Sequence, residues 1–241
     1  MMAIYLTELD SDNLWFPSPY EALHDPNGLL AYGGDLTPDR LLLAYQNGIF
    51  PWYSEDDPIL WWSPSPRAVF DPKTFKPSKS LKKFQRKHQY QVSINMATET
   101  VIERCASTRS ADETWLTSDM QLAYKTLSSL GHCHSVEVWQ GNKLIGGLYG
   151  ISVGQIFCGE SMFSLKTNAS KVALWYFCQH FTLMRGKLID CQVMNQHLKS
   201  LGAMELERKE FLQSLLSLKQ EKLVASSFKP QWIKLSSEEN P

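Results

Sequence analysis

Asp190 sits in the middle of an apolar run, Leu188-Ile189-Asp190-Cys191-Gln192-Val193. If that run is a strand, its period of two puts Asp190 and Gln192 on one face, about 6 to 7 Å apart, where an acid and an amide can share one ligand. Glu160 closes a second apolar run, Phe157-Cys158-Gly159, and Ser161 follows it, so a carboxylate and a hydroxyl stand at the rim of the same sheet. Each acid also has a plain reading, Glu160 as a helix cap and Asp190 as a buried group with its hydrogen bonds satisfied. Three polar groups together at strand ends favour a site, since burial beside polar partners shifts proton affinity toward chemistry.

The elements that must position them follow from the surrounding pattern. Val136, Val138 and Trp139 lead to a Gly141-Asn142 turn, and Leu144 to Tyr149 and Gln155 to Phe157 resume extended patterns with glycine turns of their own, a meander of strands. Residues 169 to 181 are apolar nearly all round, which predicts a buried helix with Asn168 or Ser170 as its N-cap. Gly186 ends that helix, Leu188 to Val193 form a short buried strand, and Gln196 to Leu201 form a second helix closed by Gly202. Meander, helix, strand and helix make an α+β layer.

The 241 residues carry 24 Lys and Arg against 25 Asp and Glu, a net charge of −1, with 43% hydrophobic residues. That content fills a sizeable core, and any nucleic-acid contact must come from a local patch. Cysteines 105, 133, 158, 178 and 191 are scattered without a CxxC pair, which excludes a disulfide framework and a zinc ribbon and points to a reducing compartment. His132-Cys133-His134 does not make a metal site either, because consecutive residues entering a strand point to opposite faces. The acidic N-terminus and the lack of an 18-residue apolar stretch predict a cytoplasmic protein.

Residues 1–65 differ in character from residues 66–241 and read as a separate small domain, rich in Pro, Gly and aromatics. A helix from Asp39 to Gln46 opens at Pro38 and stops at Gly48, and the rest reads as loop. Trp52, Tyr53, Trp61 and Trp62 are core for a loop-rich module or walls of a ligand pocket, with Trp52 the first choice for the pocket. Trp115, between two predicted helices, is core or pocket wall. From Asp71 to Gln91 there are seven Lys and Arg against one acid. Lys79, Lys82, Lys83, Arg86 and Lys87 fall at the spacing of one helical face, with Leu81 and Phe84 on another. Such a stripe is a solvated face or a seat for a phosphate backbone, and the absence of acids four residues away suits the second. Beyond Gly202 the pattern gives a short extended piece, a helix from Lys209 to Lys219 and a polar tail, Ser236 to Pro241.

The runs PNGLLAYGGDL, GIFPWY, LWWSPSPRAV, ETWLT, HSVEVW, GGLYG, GESMFS, NASKVAL and IDCQV followed by NQHLKSLGA occur in this order. Together they resemble the leucyl/phenylalanyl-tRNA-protein transferase family from about residue 13 to residue 202. The resemblance implies transfer of Leu, Phe or less readily Met from aminoacyl-tRNA to the α-amine of proteins with N-terminal Arg or Lys, marking them for N-end rule degradation. It implies a Gcn5-related acetyltransferase fold for the larger domain; the reaction calls for no cofactor and no metal, no membrane partner is expected, and a monomer is assumed. It places Asp190, Gln192 and Glu160 in the catalytic centre, Trp52 and Trp115 at the aminoacyl pocket and the helix of Lys79 to Lys87 on the tRNA. Leu165 departs from the pattern, since a basic residue is expected there.

Aminolysis of an activated ester needs no ATP, and the expected division of labour follows. Asp190, oriented by Gln192 and acting directly or through water, or a hydroxyl of the tRNA itself takes the proton of the attacking amine, while Glu160 holds the acceptor's cationic side chain or its amine. Backbone N–H groups near residues 159–161 stabilise the oxyanion, and Ser161, Met162 and Phe163 complete the aminoacyl pocket. The alternative is an acyl-coenzyme A dependent N-acyltransferase of the same fold. The glycine-free connection from Ser161 to Ser170 counts against it, because a pyrophosphate needs close backbone approach. A non-catalytic tRNA-binding module would leave the acid and amide without a use.

Overall fold

Two β-sheets pack around shared apolar residues in the computed structural model, which describes residues 6–108 and 116–235. The first is four-stranded, in the order β1 (Thr7–Leu9), β2 (Leu29–Gly33), β4 (Leu60–Trp62), β3 (Phe50–Pro51). The segment expected to be loop around one helix therefore carries a small sheet. Its strands are two to five residues long, too short for alternation to register above the Pro and Gly signals around them. The predicted helix is α1 (Pro38–Gln46), with Pro38 in the first turn, where its missing N–H is of no consequence. α1 is pinned by Arg40, whose guanidinium pairs with Asp35 at 3.0 Å and donates to the carbonyls of Asp10 and Asn13 at 2.8 and 3.1 Å.

The second sheet has eight strands: β5 (Arg67–Phe70), β6 (Gln91–Ile94), β7 (Cys133–Gln140), β8 (Lys143–Val153), β9 (Ile156–Ser164), β10 (Leu188–Gln192), β11 (Met204–Leu206) and β12 (Gln231–Ile233). Their spatial order is β11-β5-β10-β9-β8-β7-β6-β12. The expected meander is β7-β8-β9, antiparallel throughout, turning at Gly141 and Gly154, both at positive φ. α5 (Ala169–Leu183) then crosses one face to deliver β10 parallel to β9. It packs so closely that a Cβ on Gly146 would lie 2.5 Å from the Cβ of Ala169. Asn168 occupies the N-cap position at φ 63 without a side-chain cap bond, and the Ser164 hydroxyl takes the Ser170 N–H at 3.3 Å instead.

The sheet has helices on both faces. α5, α2 (Lys79–His88) and α6 (Gln196–Ser200) cover one core, which includes Phe157, Trp175, Phe177 and Phe181. α1, α3 (Thr98–Ser107), α4 (Ser118–Ser129) and α7 (Arg208–Leu218) cover the other, where Trp61, Tyr124, Tyr149 and Phe211 meet. Burial of each large apolar side chain contributes about 1.5 to 3 kcal/mol. The strands at the outer edges, β11 and β12, come from the chain beyond Gly202, where only one extended piece was expected. Residues 236–241 of the expected polar tail lie outside the described residues.

The centre of this sheet contains the feature that shapes the site. β10 pairs with β9 only at Leu188–Asp190 against Ile156–Cys158, while β9 runs on to Ser164. The ladder therefore opens after Cys158 and Asp190, and a gap forms between two strands that are neighbours at their other end.

Candidate active site

Glu160 owes its position to a β-bulge. Tyr149 pairs with Ser161 and Gly150 with Gly159, so Glu160 is the extra residue, left without a partner on β8. Its carboxylate is 8% exposed and faces the α1/α4 side, where the Tyr124 hydroxyl donates to Oε2 at 2.7 Å. The Tyr45 and Tyr124 hydroxyls are 2.8 Å apart. Across the strand gap, Gln192 Nε2 donates to Oε1 of Glu160 at 2.7 Å. Burial raises the Glu160 pKa to about 7 and the nearby Asp190 charge adds to the rise, while the tyrosine and Gln192 hydrogen bonds oppose it. A carboxyl group poised there exchanges protons at neutral pH.

Asp190 is held otherwise. Its two oxygens take a bidentate pair from Arg67, Nε to Oδ1 at 2.8 Å and Nη2 to Oδ2 at 2.7 Å, and both side chains are 1% exposed. The guanidinium also donates to the Gly48 carbonyl at 3.1 Å and lies between the rings of Phe50 and Phe211, 4.8 and 4.6 Å from their centroids. Asp190 Oδ1 further accepts the Gln192 N–H at 2.9 Å, across a bulge where Gln192 takes φ 65. That bulge takes Gln192 out of regular alternation with Asp190. Only the Gln192 side chain reaches the gap, and Asp190 is not on the cavity wall.

The gap opens into a cavity of about 730 Å³. Its deep end is apolar, with Leu148, Phe157, Leu174, Phe177 and Ile189 from the α5 side, and Gln192, Glu160 and Ser161 stand at the strand gap. Trp52, 45% exposed, forms an outer wall with Trp62, their centroids 5.4 Å apart. Ser161 and Met162 line the cavity as expected of them, but Phe163 does not. Beyond the bulge the strand alternates, so Met162 packs toward the α5 core and Phe163 is buried in the opposite one. Trp115 lies outside the described residues.

The sequence profile described as "Leucyl/phenylalanyl-tRNA protein transferase" matches residues 69–216, and the profile of that protein's N-terminal domain matches residues 34–65. The leucyl/phenylalanyl-tRNA–protein transferase of Vibrio parahaemolyticus is 72% identical over 95% of this chain and 97% of its own length. That of Photobacterium profundum is 60% identical over 98% of this chain and all of its own. The chain belongs to the leucyl/phenylalanyl-tRNA–protein transferase family. It is an aminoacyltransferase. Among solved structures, a Bacteroides thetaiotaomicron protein of unknown function is 10% identical with a TM-score of 0.42, covering 70% of this chain and 58% of that one. That likeness is too slight to carry the assignment.

For an aminoacyltransferase, the other expected binding element is the basic stripe, which forms as α2. Ser78 caps it by accepting from Leu81 N at 3.1 Å. Leu81 and Gln85 anchor its inner face, Gln85 donating to the Tyr90 carbonyl at 2.7 Å and the Tyr176 hydroxyl at 2.8 Å. Lys79, Lys83, Arg86 and Lys87 are exposed and Lys82 is half-buried, and among the described residues no carboxylate pairs with any of the five. The stripe is separate from the cavity wall.

Arg67, Tyr45 and Tyr124 complete the site without having been marked by the sequence. A cation opening the apolar strand Arg67-Ala68-Val69-Phe70 is the one signal that was available. The tyrosines are ordinary members of amphipathic helices until the fold brings their hydroxyls together. Among the described residues no cluster of His, Cys, Asp or Glu is arranged to hold a metal, and no helix is long and apolar enough to cross a membrane.

Proposed function

We propose that this chain moves Leu, Phe and less readily Met from aminoacyl-tRNA to the α-amine of proteins beginning with Arg or Lys, marking them for degradation in the cytoplasm. The observation that carries this reading is the Glu160–Gln192 pair bridging two diverging strands beside an apolar cavity. Opening of β9 from β10 after a meander and a crossing helix also favours the Gcn5-related acetyltransferase arrangement for residues 66–241, with residues 1–65 as a small N-terminal domain and the whole acting as a monomer.

In the proposed mechanism Gln192, with its Nε2 committed to Glu160, turns its carbonyl oxygen to the acceptor and receives one amine hydrogen. The amine nitrogen attacks the ester carbonyl carbon, and the proton it sheds goes to Glu160 Oε1. As the C–O bond breaks, Glu160 returns that proton to the departing ribose oxygen. An α-amine titrates at about 7.7 to 8.0, close to the value of about 7 for Glu160, so the first transfer is nearly balanced in energy, while the second, to an alkoxide far more basic than a carboxylate, runs downhill. Backbone N–H groups near residues 159–161, beside the bulge that leaves Glu160 without a partner on β8, are assigned to the oxyanion.

Two expected roles change hands. A carboxylate sealed from solvent with both oxygens on a guanidinium is a poor proton acceptor, so Asp190 gives that task to Glu160 and acts by fixing the Gln192 backbone. Glu160, with an oxygen on Tyr124 and another on Gln192, leaves the acceptor's cation to Asp57, the other carboxylate on the cavity wall. Asp57→Ala should raise the KM for an Arg-initiated peptide by about tenfold, as loss of one charge-assisted bond does, with tRNA affinity unchanged. An unchanged peptide KM rules Asp57 out.

The deep slot takes an apolar side chain, and a surface of this kind separates ligands by only about 1 to 3 kcal/mol per methylene. Relaxed choice among Leu, Phe and Met is what it delivers. α2 would hold the tRNA backbone. Replacing Lys82, Lys83 and Arg86 with Ala should reduce the slope of log affinity against log salt by about 2 to 3, as removal of three phosphate contacts requires. A slope equal to wild type would free α2 of that role. The function as a whole is tested by transfer of labelled leucine from charged tRNA to an Arg-initiated peptide without ATP; no transfer would refute it.

A further inference from the structure

We propose that Tyr45 and Tyr124 are positioning residues acting as a pair: they hold the buried side of the Glu160 carboxylate, Oε2 above all, so that the proton of the reaction is taken on Oε1, the oxygen turned to Gln192 and the cavity. The proposal rests on Glu160 being the base.

Directionality follows from hydrogen counting. An ionised carboxylate only accepts, so the single Tyr124 hydrogen goes to Oε2 at 2.7 Å. Tyr124 then has only lone pairs left for Tyr45, so Tyr45 is the donor across the 2.8 Å contact between the hydroxyls, and the Tyr45 hydroxyl also lies within hydrogen-bonding reach of Glu160 itself. Both rings are fully buried, and burial with the Glu160 charge holds both hydroxyls well above the usual phenol range, so neither donor is lost at working pH. Tyr149 buttresses the pair, its ring edge-on to Tyr124 with centroids 5.4 Å apart.

The other groups around Glu160 cannot substitute. From β10 come Gln192, which serves Oε1, and Asp190, which repels the charge. Arg67 of β5 has its Nε and Nη2 on Asp190 and its Nη1 on Gly48. Cys158 of β9 and Cys133 of β7 are thiols whose pKa burial pushes well up, so they stay neutral. Tyr45 rides on α1 and Tyr124 on α4, so seating of the N-terminal segment on the large sheet is sensed at the base through two hydroxyls.

Turnover against pH, at saturating acceptor peptide, tests the pair in wild type, Tyr124→Phe, Tyr45→Phe and the double variant. Removing the Tyr124 hydroxyl takes a donor from the charged form of Glu160. The acidic limb of turnover should therefore move up by about one pH unit, with recovery at higher pH and an unchanged KM for aminoacyl-tRNA. Tyr45→Phe should move it the same way by less, and the double variant should move it at least as far as Tyr124→Phe alone. A limb that stays in place in Tyr124→Phe, or one that Tyr45→Phe leaves untouched, would overturn the proposal. If Tyr124→Phe does not fold, the presence or absence of the Tyr45→Phe shift decides. A wild type with no acidic limb refutes Glu160 as base instead, which separates the two failures.

Discussion

Glu160→Gln should lower turnover by about 10²- to 10⁴-fold, the usual contribution of a positioned base, while leaving aminoacyl-tRNA binding intact. The amide keeps the shape and can still bond Gln192, but it has no proton affinity to offer. Wild-type turnover should rise with pH through about 7 and on through the amine's own titration at about 7.7 to 8.0, and the variant's residual turnover should keep only the second rise. Stability carries the opposite sign. Burial lifts the Glu160 pKa from its ordinary 4.5 to about 7 in the folded protein, so between these values the folded state holds a proton that the unfolded state has released. The stabilising contribution is whole below about 4.5, falls as pH rises and is gone above about 7, a difference of about 3 kcal/mol. Gln cannot ionise, so the melting temperature of the variant relative to wild type should climb from pH 5 to pH 8. A pH-independent difference, or a variant with near wild-type turnover, would show that Glu160 is not a buried base.

Arg67→Ala should destabilise the fold by about 3 to 5 kcal/mol, because it strands the Asp190 carboxylate in a dry interior. For a chain of this size that lowers the melting temperature by roughly 10 °C. Asp190→Ala should do comparable damage from the other side, so low activity in that variant must be read beside its melting curve. The double change Arg67→Met with Asp190→Leu should recover a large part of the loss, since a buried ion pair is often replaceable by apolar groups of similar volume. It should still be catalytically weak, because the Gln192 N–H loses the acceptor that fixes its turn. Losses that simply add across the pair would mean the two groups are not coupled as their geometry demands.

Local physics made much of this protein legible in one dimension. The meander, the all-apolar α5 and the basic α2 each rest on side-chain periodicity and turn residues within a dozen positions. The small sheet of residues 7–62 was hidden because strands so short leave no period to read. Phe163 was misplaced in the pocket for a related reason: the bulge at Glu160 shifts alternation by one residue, and nothing in Gly159-Glu160-Ser161 announces it.

The chain's family, the order of elements from residue 133 to residue 201 and the gathering of Glu160, Ser161 and Gln192 at strand ends were determined by sequence alone. Which carboxylate is free to handle a proton was decided only by tertiary structure. Asp190 and Glu160 look alike in sequence, yet one meets a guanidinium from 123 positions away and the other a hydroxyl pair drawn from α1 and α4. Proton affinity depends on the charges and donors within a few ångströms in space, and those neighbours come from segments that local patterning cannot bring together.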